Sequence, residues 1–87
     1  MAIPQAKELL TIRITSPDKV IWEGKGQSLS SYNSDGPFDI LPQHANFITI
    51  IEDKPIKIIT PDGTVEQRFP HSVMYVHSNQ VTVYTNF

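Results

Sequence analysis

The chain has 87 residues, a formal charge of −2 and no cysteine. That length suits one domain with a single thin core. The missing thiols exclude a disulfide framework and thiolate metal sites, and the scattered Lys and Arg residues form no basic stripe of the kind a nucleic-acid partner needs. The apolar runs are a few residues long, far below the roughly 20 needed to span a bilayer, so no direct membrane insertion is expected. The opening MAIPQAKE lacks the apolar centre of an export signal.

Residues 1–8, with Pro4 as a breaker, read as a flexible lead-in to one domain over 9–87. From Leu10 the period is two: Leu10, Ile12 and Ile14 alternate with Thr11, Arg13 and Thr15, which predicts a half-buried strand. Ser16, Pro17 and Asp18 supply a turn, because proline presets φ and the short polar side chains bond the local backbone. Val20 to Glu23 returns, with Trp22 its largest side chain. Gly24 and Gly26 around Lys25 suggest a bulge or bend. Gln27 to Asn33 is polar but β-compatible and suits an edge strand, with Leu29 and Tyr32 in opposite phase.

Asn33 to Gly36 is loop chemistry. The stretch GPFDILPQHANF, from Gly36 to Phe47, joins a short apolar strand to a proline–histidine corner. Pro42 has no N–H and fixes its own φ, so the strand should stop there. His44 follows on a corner with no room to bury an imidazole beside its own strand. It reads either as a partner contact or as a plain surface residue of a tight turn.

Phe47 to Ile51 is apolar on both faces except for Thr49, which predicts a strand covered by the core on one side and by a neighbour or partner on the other. Glu52 to Pro55 reads as a charged turn. Ile56 to Thr60 and Thr64 to Phe69 flank a Pro61-Asp62-Gly63 hairpin connection. Pro70 is expected to end that strand. Val73 to His77 and Val81 to Tyr84 form a last hairpin around Ser78–Gln80. Together these elements predict an all-β fold: a small sandwich of two mostly antiparallel sheets with about eight to ten short strands.

The sequence carries no nucleophile elbow, phosphate loop, dinucleotide loop or HExxH pattern, so no catalytic and no cofactor-binding residues are assigned. His44, His71 and His77 lack short ligand spacing, and no metal site is expected from them. Asp35 and Asp39 read as solvated turn carboxylates; a catalytic pair would need a pocket and a perturbed environment. Trp22, Phe38, Phe47 and Phe69 are in phase with core or docking positions, while Tyr32 and Tyr75 remain surface aromatics. A binding module for a peptide or carbohydrate is the alternative that these aromatics keep open.

GPFDILPQHAN resembles the G-x-F-G-I-L-P-G-H-A-P signature of the epsilon subunit of F-type ATP synthases (delta in mitochondria). LTIRITSPDKVIWEG resembles that family's first hairpin, and IKIITPDGTVEQRF and VMYVHSNQVTVY its later ones, in the same order. The resemblance implies a non-catalytic rotor subunit. It would join the gamma subunit to the membrane c-ring of a proton- or sodium-translocating enzyme, on the cytoplasmic side of the energy-transducing membrane. Carried over by motif, the ring-facing interface comprises Ser16, Pro37, Leu41, Pro42, Gln43 and His44.

Several positions depart from the family pattern. Pro37 stands where many members are acidic, which weakens the expectation of a charged ring contact. Asp39 and Gln43 replace glycines, Asn46 replaces proline, and His71-Ser72 replaces a Gly-Gly pair. Each changes backbone freedom or the approach of a partner. Asp39 is expected to tolerate a left-handed backbone. The sequence ends at Phe87, just past the last strand, so the family's helical hairpin, with the inhibition and ATP binding it carries, is not expected of these residues.

Overall fold

Period-two alternation dominates the computed structural model, which describes residues 8–87; the predicted lead-in, apart from Glu8, lies outside them. Seven strands form: β1 (Leu10–Thr15), β2 (Val20–Gly26), β3 (Ser28–Asn33), β4 (Gly36–Ile40), β5 (Phe47–Thr60), β6 (Gly63–His77) and β7 (Gln80–Thr85). They join in the order β2-β1-β7-β6-β5-β3-β4. Every pairing is antiparallel except that of β1 with β7. The strands are fewer than the eight to ten expected, because β5 and β6 run through two predicted breaks.

Those breaks, Glu52–Pro55 and Pro70, became a kink. The β5–β6 ladder pairs Glu52 with His71 and Lys54 with Phe69 but omits Asp53 and Pro70 between them. Asp53 takes φ 52° there. Arg68 holds the kink from the opposite strand, donating through Nε to the Asp53 carboxylate at 3.1 Å and through Nη2 to its carbonyl at 2.9 Å. Proline is tolerated where the ladder is already interrupted.

The halves of β5 and β6 on either side of the kink serve different layers. β2, β1, β7, the second half of β6 and the first half of β5 make one layer. The first half of β6, the second half of β5, β3 and β4 make the other. The core between them is Leu10, Ile12 and Ile14 from β1, Leu29, Ile40, Ile51, Ile56 and Ile58, and Met74, Val76, Val81 and Val83, all at or below 1% exposure. Trp22, Phe38, Phe47 and Phe69 pack against it half-buried, as their phase predicted.

Three local expectations need correction. β3 is internal, between β5 and β4, and the terminal strand on that side is β4. Leu29 and Ser31 point inward and are buried, and Ser31 Oγ donates to the Pro55 carbonyl at 2.9 Å, so a polar strand is accommodated inside. The register irregularity beside β2 lies at Ile14/Thr15 rather than at Gly24–Gly26. The bend falls after Gly26, where the chain crosses between layers and Gln27 N donates to the Ile59 carbonyl at 2.6 Å. A Cβ at Gly26 would stand 2.7 Å from Ile12 Cδ1 and 2.9 Å from Ile58 Cγ2, so glycine is needed where the layers meet. Finally, Asp39 lies in extended β4 and needs no left-handed tolerance; Gln43 is the replaced glycine that takes positive φ, at 70°.

Candidate docking surface

The proline–histidine corner is a hydrogen-bonded turn. β4 ends at Ile40, and His44 N donates to the Leu41 carbonyl at 3.0 Å. Pro42 occupies the second position and Gln43, with φ 70°, the third, as a type II turn demands. A non-glycine residue there is strained by about 1–2 kcal/mol. The corner is tied down by a residue that the sequence places only in the turn of the last hairpin. Asn79, in the two-residue β6–β7 turn, accepts from Gln43 N through Oδ1 and donates through Nδ2 to Glu8 at 3.1 Å. Its carbonyl accepts from Thr11 N at 2.8 Å. Ser78 and Asn79 both have positive φ, 49° and 65°, the requirement of a type I′ hairpin. Ser-Asn between two alternating strands was the available signal.

His44 is less free than its corner suggested. It is half-buried, its ring meets that of Phe47 edge-on at 5.6 Å, and Phe47 meets Phe38 likewise at 5.6 Å. Its Nδ1 lies 2.7 Å from the Ala45 carbonyl, which accepts from the Nδ1–H tautomer. The strand after the corner, not the one before it, supplies the packing that the sequence reading denied.

The six motif-matched positions do not converge. Pro37 and Asp39 face outward on β4, and the same phase continues to Leu41, which is 54% exposed. Pro37 pairs with Tyr32, and Asp39 accepts from Ser30 Oγ at 2.6 Å. Leu41, Pro42, Gln43 and His44 share one turn. Ser16 is at the far end of β1 from the Thr11–Asn79–Gln43 link, about five residues or roughly 16 Å along the strand. Its hydroxyl is occupied within its own turn, accepting from Lys19 N at 3.2 Å and Asp18 N at 3.3 Å.

The other chemical candidates are dispersed too. His71 Nδ1 lies 3.5 Å from Glu52, His77 stacks on Tyr75 and His44 meets Phe47. Among the described residues no three acidic, histidine or cysteine side chains gather as a metal site would require. No helix among them is long and apolar enough to cross a membrane.

The first layer's outer face is the most distinctive surface. Ile48 pairs with Tyr75 and Ile50 with Val73 across β5–β6, and Val73 pairs with Tyr84 across β6–β7. All five therefore share a face. Ile48 is 64% exposed, Ile50 59% and Tyr84 49%. This is the second side of the Phe47–Ile51 strand, which the sequence assigned to a neighbour or partner. The described residues leave it uncovered. Contiguous exposed apolar surface of this kind marks interaction sites.

Residues 9–87 match the family model described as the β-sandwich domain of the ATP synthase delta/epsilon chain. Among curated relatives, the ATP synthase epsilon chain of a Nitratiruptor species is 30% identical over 59 residues, covering 68% of this chain and 46% of the relative. The chloroplastic epsilon chain of Chaetosphaeridium globosum is 25% identical over 77 residues, covering 88% and 57%. The chain thus spans about half the length of the curated relatives it matches. A chain in the Euglena gracilis mitochondrial ATP synthase OSCP/F1/c-ring structure shares the fold with a TM-score of 0.81 at 15% identity, over 98% of this chain and 53% of that one. One in the Tetrahymena thermophila central stalk/c-ring structure does so with a TM-score of 0.74 at 12% identity, over 87% and 62%.

Proposed function

The chain belongs to the ATP synthase delta/epsilon-chain β-sandwich family, and from that premise we propose that it acts as a non-catalytic rotor subunit of a proton- or sodium-translocating F-type ATP synthase. It binds the gamma subunit on one side and the membrane c-ring on another. Catalytic sites lie in other subunits, and the complex places the domain on the cytoplasmic side of the energy-transducing membrane. The sandwich acts as a stiff coupling piece. Its layers are joined through two continuous kinked strands rather than by a flexible linker, so load on one layer passes directly to the other.

The uncovered row of Ile48, Ile50, Val73, Tyr75 and Tyr84 carries this reading, because a rotor subunit needs a permanent contact and an exposed apolar face suits one. We assign it to gamma and the Leu41–His44 corner to the ring. Size-exclusion chromatography with the cognate gamma subunit tests the assignment. Co-elution as a one-to-one complex is expected; separate elution at micromolar concentrations overturns it. Ring attachment is tested by pull-down of the complex with detergent-solubilised c-ring, which His44→Ala should weaken.

A further inference from the structure

Four long strand edges lack a hydrogen-bonded neighbour among the described residues: β2, β4, the first half of β6 and the first half of β5. Three carry features that discourage another strand. β2 has Glu23 and Lys25, β4 has Pro37 and Asp39, and the β6 segment has Glu66 and Arg68. Phe47–Ile51 has no charge and no proline. β3 pairs with β5 only at Lys57–Ile59, so nothing in the described sheet satisfies the outward backbone groups of Phe47–Ile51.

A groove runs along this edge. Ile48, Thr49 and Ile50 form one wall, and Tyr32, Asn33 and Ser34 at the tip of the β3–β4 hairpin form the other. Asn33 Nδ2 donates to Thr49 Oγ1 at 3.0 Å, which fixes the hairpin tip beside the edge. Charge appears only toward one end, at Glu52 and at Lys54, whose ammonium sits 5.9 Å from the Tyr32 ring centroid.

We infer that Phe47–Ile51 accepts an extended strand from the gamma-type stalk partner, which continues the β2-β1-β7-β6-β5 layer into that subunit. This rests on the rotor reading above. Unpaired backbone donors and acceptors in register are satisfied by another strand and not by a helix lying on the side chains. The absence of charge over five residues fits a strand with an uncharged, apolar centre, and Glu52 and Lys54 limit its charged residues to one end. Main-chain bonds along the edge and apolar contacts with Ile48 and Ile50 then act in one interface.

Amide hydrogen exchange on the full chain, alone and with the cognate gamma subunit, tests this. In the complex, every second amide of Phe47–Ile51 should slow by at least about tenfold, in the alternating pattern of a new ladder. Ile50→Lys, which puts a charge on the edge, should abolish that pattern while the far-UV circular dichroism spectrum stays unchanged. Binding of gamma without added protection of the amides that face away from β6 would leave the rotor assignment standing and overturn strand addition. No binding of gamma would overturn both. Protection in the chain alone of the Phe47–Ile51 amides that face away from β6, with a doubled mass in sedimentation, would make a second copy the occupant and also overturn the inference.

Discussion

Gln43 occupies a backbone conformation that favours glycine, yet the corner holds its shape because Asn79 grips it from a different hairpin. This arrangement separates strain from restraint. Gln43→Gly removes about 1–2 kcal/mol of left-handed strain and adds roughly 0.5–1 kcal/mol of glycine backbone entropy. The variant is expected to be more stable by up to about 1.5 kcal/mol in urea unfolding, and a loss of stability would contradict the strain account. Asn79→Gly tests the restraint, since glycine keeps the type I′ turn but loses both side-chain bonds. It should cost about 1 kcal/mol and speed exchange of the Gln43 amide; an unchanged amide would show that the corner is self-supporting. For His44→Ala, the edge-on contact with Phe47 sets an expected loss of about 0.5–1.5 kcal/mol by thermal melting. A neutral substitution would show a ring that merely rests on the surface.

Among the elements, β5 and β6 decide the architecture, and the sequence concealed them behind their prolines. Pro55 and Pro70 announce breaks in any single strand. Whether a break ends a strand or kinks it depends on a neighbour 15 residues away, as with Arg68 on Asp53. Local chemistry does not encode that neighbour. What depended on period or on one residue's own backbone chemistry was legible: the inward row of β1, the turn at Pro42, the half-buried aromatics and the two-sided apolar character of Phe47–Ile51. The corner's motif was legible too, whereas its clamp was not, because Asn79 becomes relevant only when β6–β7 folds over the corner. Gly26 is a similar case. Its spacing from Gly24 suggested a bend, but its need for glycine comes from Ile12 and Ile58 in opposite layers. Gly26→Ala should cost about 1–3 kcal/mol through overpacking, read as a lower urea midpoint with unchanged m-value. A neutral result would mean that the layers separate easily, which a stiff coupling piece does not allow.

At the scale of the whole molecule, the two sides of β5 divide the labour between folding and docking. Ile51, Ile56 and Ile58 are buried in the core between the layers, whereas Ile48 and Ile50 lie exposed. Stability and partner binding should therefore respond to different substitutions. Ile12→Ala empties a fully buried site and should lose roughly 2–5 kcal/mol of stability. At a temperature where the variant remains folded, its affinity for gamma should stay within about twofold, because Ile12 touches the interior only. Ile48→Thr keeps the β-branched shape and should hold stability within about ±0.5 kcal/mol, yet it removes apolar surface from the proposed contact. If Ile48 anchors that contact, the affinity measured by calorimetry with the cognate gamma subunit should fall by about tenfold or more. Unchanged affinity in Ile48→Thr, with its fold intact, would remove this face from the interface. The rotor assignment would then need a different surface to bear the torque.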